Sequence, residues 1–245
     1  MNYDRFDINQ LNKDFLNSTP FNYVIIDNFL DPLLVKEIEL ELRTLPPEEW
    51  YDKTSGYSHI NNQGDCETQS KKIALNIRNQ IPIKTNMVID LFSSPNLINF
   101  IEKITNIPNL CSDSSLLGGG VHKTTTNGHL SIHSDFNIHP QTNKHRRVNA
   151  LLYLNSNWKP EYHGELELWN KNMMSCDKKI EPISNRLVIF RITDDALHGS
   201  PSKWLGSANY DRLSLAFYYY TDERPEHEKT DFHWALWHKR FGMYY

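Results

Sequence analysis

Hydrophobic residues follow two different patterns along the chain, and the pattern in the first third is typical of helices. Leu34, Ile38 and Leu42 recur every four residues, which places them on one face of a helix. The helix is predicted to begin at Asp31-Pro32, because aspartate is a good N-terminal cap and proline fits the first turn. A short apolar strand is predicted before it, at Tyr23–Ile26.

A second helix is predicted after Ser94-Pro95, which gives the same start signal and is followed by apolar residues at helical spacing. The stretch that contains Ile73, Ile77 and Ile81 is ambiguous, because residues 73, 75 and 77 also alternate as they would in a strand. We interpret this stretch as a helix.

The rest of the chain has short runs of branched and aromatic residues that are separated by turn residues. Such runs are typical of an all-β barrel or sandwich. They lie at residues 148–154, 166–169, 187–192 and 213–220. The whole pattern therefore predicts an α+β protein that is mainly β.

The simplest arrangement of the two parts is a single domain that spans residues 1–245. Residues 1–115 would form a mainly helical layer, residues 116–222 the β core and residues 223–245 an aromatic C-terminal tail. The tail could cover the core, contact a second subunit or touch substrate. The polar stretch 51–70 is predicted to be a surface loop and is a candidate lid.

Composition excludes several classes of protein. The 245 residues have a net charge of -4, which disfavours a broad nucleic-acid-binding surface. There is no apolar run of about 18 residues and no apolar leader, so neither a membrane span nor a signal peptide is expected. Cys66, Cys111 and Cys176 are odd in number and far apart, which argues against disulfides and favours the cytoplasm.

Three residues form a candidate metal site: His133, Asp135 and the distant His198. Residues two apart in a strand point to the same side, so His133 and Asp135 could hold one ion together. Two histidines and one carboxylate, with the remaining positions open, suit non-haem Fe(II) and oxygen chemistry. The pair alone is weak evidence, because a chain with 11 histidines produces such pairs by chance. His163 and Glu165 offer the same spacing.

A candidate anion site lies on the last strong strand. Arg212 and Ser214 share one face of it, and a buried arginine needs an anionic partner such as a carboxylate. The alternative is a solvated arginine at the rim of the sheet. In the strand predicted to start at Arg147, this residue lies on the same face as Asn149 and Tyr153. That face carries both polar and apolar side chains, as expected for a face that lines a ligand pocket. The alternate residues of 148–154 are purely apolar and are predicted to pack on the core.

Most of these candidate residues lie within a series of short motifs along the sequence. The motifs are 118–122 (GGGVH), 128–137 (GHLSIHSDFN), 146–155 (RRVNALLYLN), 164–169 (GELELW), 185–190 (NRLVIF), 198–199 (HG) and 212–214 (RLS). In order and spacing they resemble the prolyl-4-hydroxylase-like branch of the Fe(II)/2-oxoglutarate-dependent oxygenases. The resemblance covers nearly the whole chain from about residue 20.

The resemblance implies a fold, a set of metal ligands and a cosubstrate. The β core would be a double-stranded β-helix, or jelly roll, with the N-terminal helices packed on one sheet. His133, Asp135 and His198 would bind Fe(II). Arg212 would be catalytic as well, because it would hold the remote carboxylate of 2-oxoglutarate. Further candidates for the cosubstrate pocket are Tyr153, Ser214, Asn149, Leu166 and His122.

The implied reaction is hydroxylation of an unactivated C–H bond by O2, with release of succinate and CO2. Asp135 favours hydroxylation over halogenation, because related halogenases lack this carboxylate. One departure concerns a tyrosine that many family members carry on the strand before the metal-binding pair. The nearest residues here are His122 and Lys123, so His122 is a candidate for facing either cosubstrate or substrate. Ascorbate is a candidate reductant.

The sequence leaves the substrate and the oligomeric state open. A prolyl or peptidyl group, an amino acid, a sugar and a natural product are all candidate substrates, and no nucleic-acid or membrane partner is expected. Two alternatives belong to other classes. One is a jelly-roll metal-binding protein without turnover, and the other is a zinc hydrolase or cupin-type enzyme with the same triad, which would give Arg212 no purpose.

Overall fold

The computed structural model describes residues 3–52, 68–207 and 210–239. Within these ranges the helices are α1 (Ile8–Asn17), α2 (Pro32–Thr44), α3 (Ile83–Phe92) and α4 (Pro95–Thr105). The strands are β1 (Tyr23–Ile26), β2 (Tyr51–Asp52), β3 (Gln69–Leu75), β4 (Cys111–Ser112), β5 (Gly120–Ser134), β6 (His145–Tyr153), β7 (Leu166–Trp169), β8 (Cys176–Ile180), β9 (Leu187–Arg191), β10 (Leu197–Ser200), β11 (Arg212–Thr221) and β12 (Leu236–Trp237).

Two of the helices begin where the sequence predicted. The Asp31 carboxylate accepts hydrogen bonds from the backbone N–H groups of Leu33 and Leu34, at 2.9 and 3.2 Å, and so caps α2. The Ser94 hydroxyl caps α4 by accepting from the N–H of Leu97 at 3.4 Å. Strand β1 also has its predicted bounds. These starts were predictable because each depends on side chains within a few residues.

The helix predicted around Ile73 was wrong. Residues 69–75 form β3, which pairs antiparallel with β5, and Ile73 lies opposite Lys123. The alternation of residues 73, 75 and 77 was the correct signal, and a partner strand distant in sequence decided between the two states. The N-terminal layer therefore contributes strands as well as helices. Of the predicted loop at 51–70, residues 53–67 lie outside the described residues, as do residues 240–245 of the tail.

The described strands form one curled sheet with the order β1-β9-β6-β11-β5-β10-β7-β8, and the other four strands pair at its sides. Strand β5 pairs with both strands that carry the distant candidate residues, Arg212 and His198. Near its start it pairs with β11, where Thr124 lies opposite Arg212. Near its end it pairs with β10, where His133 lies opposite His198. The pairing of β5 therefore brings segments that are distant in sequence to one cavity.

The sheet is covered by helices on one face. Phe15 of α1, Ile38 of α2, Phe92 of α3 and Ile101 of α4 are buried in one cluster with the apolar face of β6. The predicted core residues of that strand, namely Val148, Ala150, Leu152 and Leu154, all belong to this cluster. The prediction of a mainly β fold with N-terminal helices on one sheet is confirmed. None of the helices in the described ranges is long and apolar enough to cross a bilayer.

Candidate metal centre and cosubstrate pocket

The structure brings His133, Asp135 and His198 together. His133 lies near the end of β5, Asp135 is the first residue after that strand, and His198 lies opposite His133 on β10. One ligand atom from each residue lies within 4.8 Å of the others. The Nε2 atoms of His133 and His198 lie 3.6 and 3.4 Å from Oδ1 and Oδ2 of Asp135. Strand pairing thus creates a cluster that sequence spacing alone could only suggest.

Both imidazoles present Nε2 to this cluster because Nδ1 is engaged elsewhere. Nδ1 of His133 lies 2.9 Å from the carbonyl oxygen of Ser131, and Nδ1 of His198 lies 2.8 Å from that of Ala196. A carbonyl only accepts hydrogen bonds, so Nδ1 carries the proton and the lone pair of Nε2 is available to a metal ion. Burial lowers the pKa of His198 to about 4, which keeps its ring neutral near pH 7.

Asp135 is held as a carboxylate. Burial opposes its ionisation, but the adjacent Arg146 guanidinium favours the carboxylate, and the pKa of the Asp135 carboxyl lies well below the usual range. The guanidinium of Arg146 lies 3.0 Å from Oδ2 of Asp135, and Asn149 donates a hydrogen bond to the same oxygen at 2.8 Å. The donor set is therefore two imidazoles that present Nε2 and one ionised carboxylate. This set fits a divalent ion such as Fe(II) that keeps open positions.

His133, Asp135 and His198 line a cavity of about 130 Å³ that is also lined by Arg212. The Arg212 side chain is buried, and its Nε–H donates to the carbonyl oxygen of Gly164 at 2.7 Å. Gly164 has a φ of +76°, and a Cβ added there would meet Trp204 at 2.6 Å and the Arg212 side chain at 3.0 Å. The absence of a side chain at residue 164 therefore lets Arg212 lie where it does.

The other predicted cosubstrate residues lie in the same cavity or beside Arg212. Ser214, Leu166, Asn149 and His122 line the same cavity as the triad. Tyr153 is not among the described lining residues, but its ring centre lies 5.1 Å from the guanidinium carbon of Arg212. Its buried hydroxyl makes no well-aligned hydrogen bond among the described residues. An unsatisfied hydroxyl beside a buried cation is consistent with an anion that binds between them.

His122 and Asn149 have contacts that the sequence did not suggest. Nε2 of His122 donates to the carbonyl oxygen of Gly118 at 2.9 Å, and the Tyr218 hydroxyl donates to the same oxygen at 2.8 Å. The Asn149 side chain lies between Asp135 and Arg146, because its Oδ1 accepts from Nε of Arg146 at 3.0 Å. The cosubstrate roles of both residues remain predictions.

Arg146 was missed by the sequence analysis, and the placement of Arg147 on the cavity face was wrong. Arg146 lines the cavity, whereas Arg147 lies outside it, with an amino nitrogen 3.6 Å from the Glu228 carboxylate. The pairing of β6 with β11 shifts register between Tyr219 and Tyr220, at this end of the strand. Simple alternation therefore fails here, and only the double arginine near the start of the strand could have drawn attention to residue 146.

The aromatic tail reaches the metal site. Strand β12 pairs with the end of β5, and Trp237 lies opposite His133 with the two ring centres 4.8 Å apart. Trp237 and Ala235 also line the cavity. The possibilities that the tail covers the core, contacts a second subunit or touches substrate stay predictions, and the structure adds that its described residues line the cavity. The competing histidine, His163, is exposed and belongs to no potential metal cluster of the described residues.

Comparison with known proteins agrees with this geometry. Residues 119–220 match the family model of the 2OG-Fe(II) oxygenase superfamily. A prolyl-4-hydroxylase from Pseudomonas putida has a similar structure, with a TM-score of 0.55, 18% identity, and coverage of 86% of this chain and 99% of that one. A comparison with curated protein sequences finds no match.

Two further solved structures have similar folds. A prolyl hydroxylase from Trichoplax adhaerens, solved with a hypoxia inducible factor peptide, has a TM-score of 0.57, 19% identity, and coverage of 88% of this chain and 87% of that one. HygX from Streptomyces hygroscopicus, solved with nickel and 2-oxoglutarate, has a TM-score of 0.52, 15% identity, and coverage of 82% and 85%. At such identities the likeness concerns the fold. Together with the match of residues 119–220 to the family model, it confirms the resemblance to 2OG-Fe(II) oxygenases of the prolyl-hydroxylase-like type that was seen in the sequence.

Proposed function

We propose that the protein is an Fe(II)- and 2-oxoglutarate-dependent dioxygenase that hydroxylates an unactivated C–H bond and releases succinate and CO2. The observation that carries this proposal is that His133, Asp135 and His198 line the same cavity as a buried arginine, Arg212. A protein that only stored a metal ion would gain nothing from burying a guanidinium there, because a buried charge without a partner is costly. A bound dicarboxylate supplies that partner.

Each residue has a distinct task in this proposal. Fe(II), when bound, supplies the redox chemistry that couples 2-oxoglutarate and O2 to oxidation of the substrate. His133, Asp135 and His198 hold the ion from one side and leave its other positions open. Arg212 uses one N–H on Gly164 and offers the rest of its fork to the remote carboxylate of 2-oxoglutarate.

The remaining pocket residues orient the cosubstrate. The Tyr153 ring lies beside Arg212, and Ser214 follows Arg212 by two residues on β11, so their hydroxyls are suited to donate hydrogen bonds to the same carboxylate. Leu166 supplies an apolar wall for the methylene groups, and His122 and Asn149 complete the lining. These groups act by positioning, so the cosubstrate binds in one orientation.

The substrate enters this proposal only as a class, namely a prolyl or peptidyl group, an amino acid, a sugar or a natural product. Two similar folds were solved with quite different molecules, a hypoxia inducible factor peptide and hygromycin B. The aromatic side chains of Phe136 and Trp237 in the cavity wall favour a substrate with an apolar face near the reacting carbon. Ascorbate fits as a reductant that restores Fe(II) after unproductive turnover.

The test is to add Fe(II) and 2-oxoglutarate without O2 and to look for the weak visible band expected of a 2-oxoglutarate–iron complex. Admission of O2 should then release succinate, which is measured by mass spectrometry. His198→Ala should remove both signals. His227→Ala is the matched control, because this side chain is 80% exposed and lies in the tail. Absence of both signals in the wild-type protein would contradict the proposal.

A further inference from the structure

We propose that Arg146 and Asn149 are positioning residues that make Asp135 bind the metal ion through a single oxygen. The proposal deepens the proposed function, because it assumes that the triad holds a metal ion. It concerns two residues that the chemistry of the triad does not itself require. Neither needs to touch the ion, since both act on Asp135.

The two carboxylate oxygens of Asp135 have different surroundings. Oδ2 accepts the hydrogen bond from Asn149 at 2.8 Å and forms the ion pair with Arg146 at 3.0 Å. Oδ1 has neither partner and lies 3.6 Å from Nε2 of His133. Nε2 of His198 lies 3.4 Å from Oδ2, but it carries no proton and therefore cannot donate to that oxygen. Oδ1 is thus the oxygen left for the metal ion.

Arg146 cannot easily turn away from Asp135. Its side chain is 1% exposed, and its Nε–H donates to Oδ1 of Asn149 at 3.0 Å, which closes a ring of contacts among the three residues. Aromatic rings hold its guanidinium as well. The guanidinium carbon lies 3.5 Å from the ring centre of Tyr218 and 4.5 Å from that of Phe136. The fork is therefore fixed before any metal ion binds.

The number of oxygens matters because positions around the ion are few. Three single-atom ligands leave roughly three of six octahedral positions open. If Asp135 rotated so that both of its oxygens bound the ion, the second oxygen would occupy one of these positions. That position would then no longer be available to the cosubstrate or to O2. An arginine and an asparagine on Oδ2 oppose that rotation, since it would break a charge-assisted contact and a buried hydrogen bond.

The experiment counts exchangeable water molecules on bound Mn(II) by water-proton relaxation, in full-length protein without 2-oxoglutarate. Wild-type protein should show roughly three waters and Arg146→Gln roughly two. Arg147→Gln is the matched control, because it removes a neighbouring buried arginine that pairs with Glu228 outside the cavity. It should keep the wild-type count. Arg146→Lys, which retains the charge, should restore part of the difference.

The outcomes separate this inference from the proposed function. If wild-type protein binds Mn(II) no better than His198→Ala, the triad does not hold the ion and both proposals fail. If wild-type protein binds Mn(II) through the triad and Arg146→Gln has the same water count, only the positioning role is wrong. Should Arg146→Gln fail to fold, Asn149→Ala replaces it, because it removes one contact to Oδ2 and keeps the ion pair. An unchanged count in that variant overturns the inference as well.

Discussion

The two faces of the central strands differ in almost every physical property. On the helix-covered face, Leu152 of β6 and Leu215 of β11 are fully buried among apolar side chains. On the cavity face of the same two strands lie Asn149, Arg212 and Ser214. Successive side chains of a strand point to opposite faces, so stability and chemistry alternate residue by residue. A substitution on the helix-covered face of these strands should therefore lower stability and largely preserve activity, and a substitution on the cavity face should do the reverse.

The contrast also has an energetic side. Buried ionic groups such as Asp135, Arg146 and Arg212 contribute little net stability, because removing charges from water offsets most of their attraction. Burial of apolar area on the helix-covered face is favourable without such an offset. The apolar core between the sheet and the helices therefore supplies most of the stability, and the polar residues of the cavity contribute little to it. The four predictions below test this division, from the largest expected effect to the smallest.

The largest effect is expected on the cavity face, at the metal ligands. His198→Ala should abolish succinate formation, because two ligands no longer fix the ion in the required geometry. The same variant should lower the unfolding temperature of the metal-free protein less than Leu152→Ala does, since the His198 ring lines a cavity on one side. Differential scanning calorimetry and a succinate assay test the two halves. Retained iron-dependent turnover would remove His198 from the ligand set.

The second effect is expected on the opposite face. Leu152→Ala should lower the free energy of unfolding by about 2–5 kcal/mol, because it leaves a void among tightly packed side chains. The rate of succinate formation per folded molecule should not change. Urea titration measures the loss, and Leu33→Ala is the control, because Leu33 is 73% exposed on α2. Equal costs for the two variants would contradict the assigned core.

The comparison of faces also explains what the sequence could predict. The apolar face of β6, the capped start of α2 at Asp31 and the strand β1 depend on neighbouring residues, so a local pattern was sufficient. The clustering of His133 with His198 was predictable for another reason. Their chemistry is specific, and the surrounding motifs follow the order of a known family.

The failures have a common physical cause, which is pairing between segments distant in sequence. Ile73 was assigned to a helix because the partner of β3 could not be seen locally. Arg146 was missed because a register shift in the pairing of β6 with β11 reverses the expected alternation at that end. Trp237 could be placed near the site only after β12 was seen to pair with β5. No local pattern encodes such pairings.

A smaller effect is expected at Arg212, where the cavity face is proposed to bind the cosubstrate. Arg212→Gln should raise the KM for 2-oxoglutarate by roughly 10- to 100-fold, because hydrogen bonds to charged groups contribute about 1.5–3 kcal/mol. Its effect on the rate at saturating 2-oxoglutarate should be much smaller. Arg78→Gln is the control, since Arg78 forms a surface ion pair with Asp90. Initial rates at varied 2-oxoglutarate decide, and an unchanged KM would exclude Arg212 from this role.

The smallest effect is expected at β12. Its two adjacent residues, Leu236 and Trp237, allow a residue that lines the cavity to be compared with one that does not. Trp237 packs on His133 and lines the cavity, whereas Leu236 is 42% exposed and is not among the described lining residues. Trp237→Ala should lower kcat/KM for the substrate roughly fivefold, because an aromatic contact of this kind contributes about 1 kcal/mol. It should leave the KM for 2-oxoglutarate unchanged, and Leu236→Ala should change neither constant. If both variants impair turnover equally, the tail acts through the docking of β12 as a whole, and the alternation of function between faces does not extend to this strand.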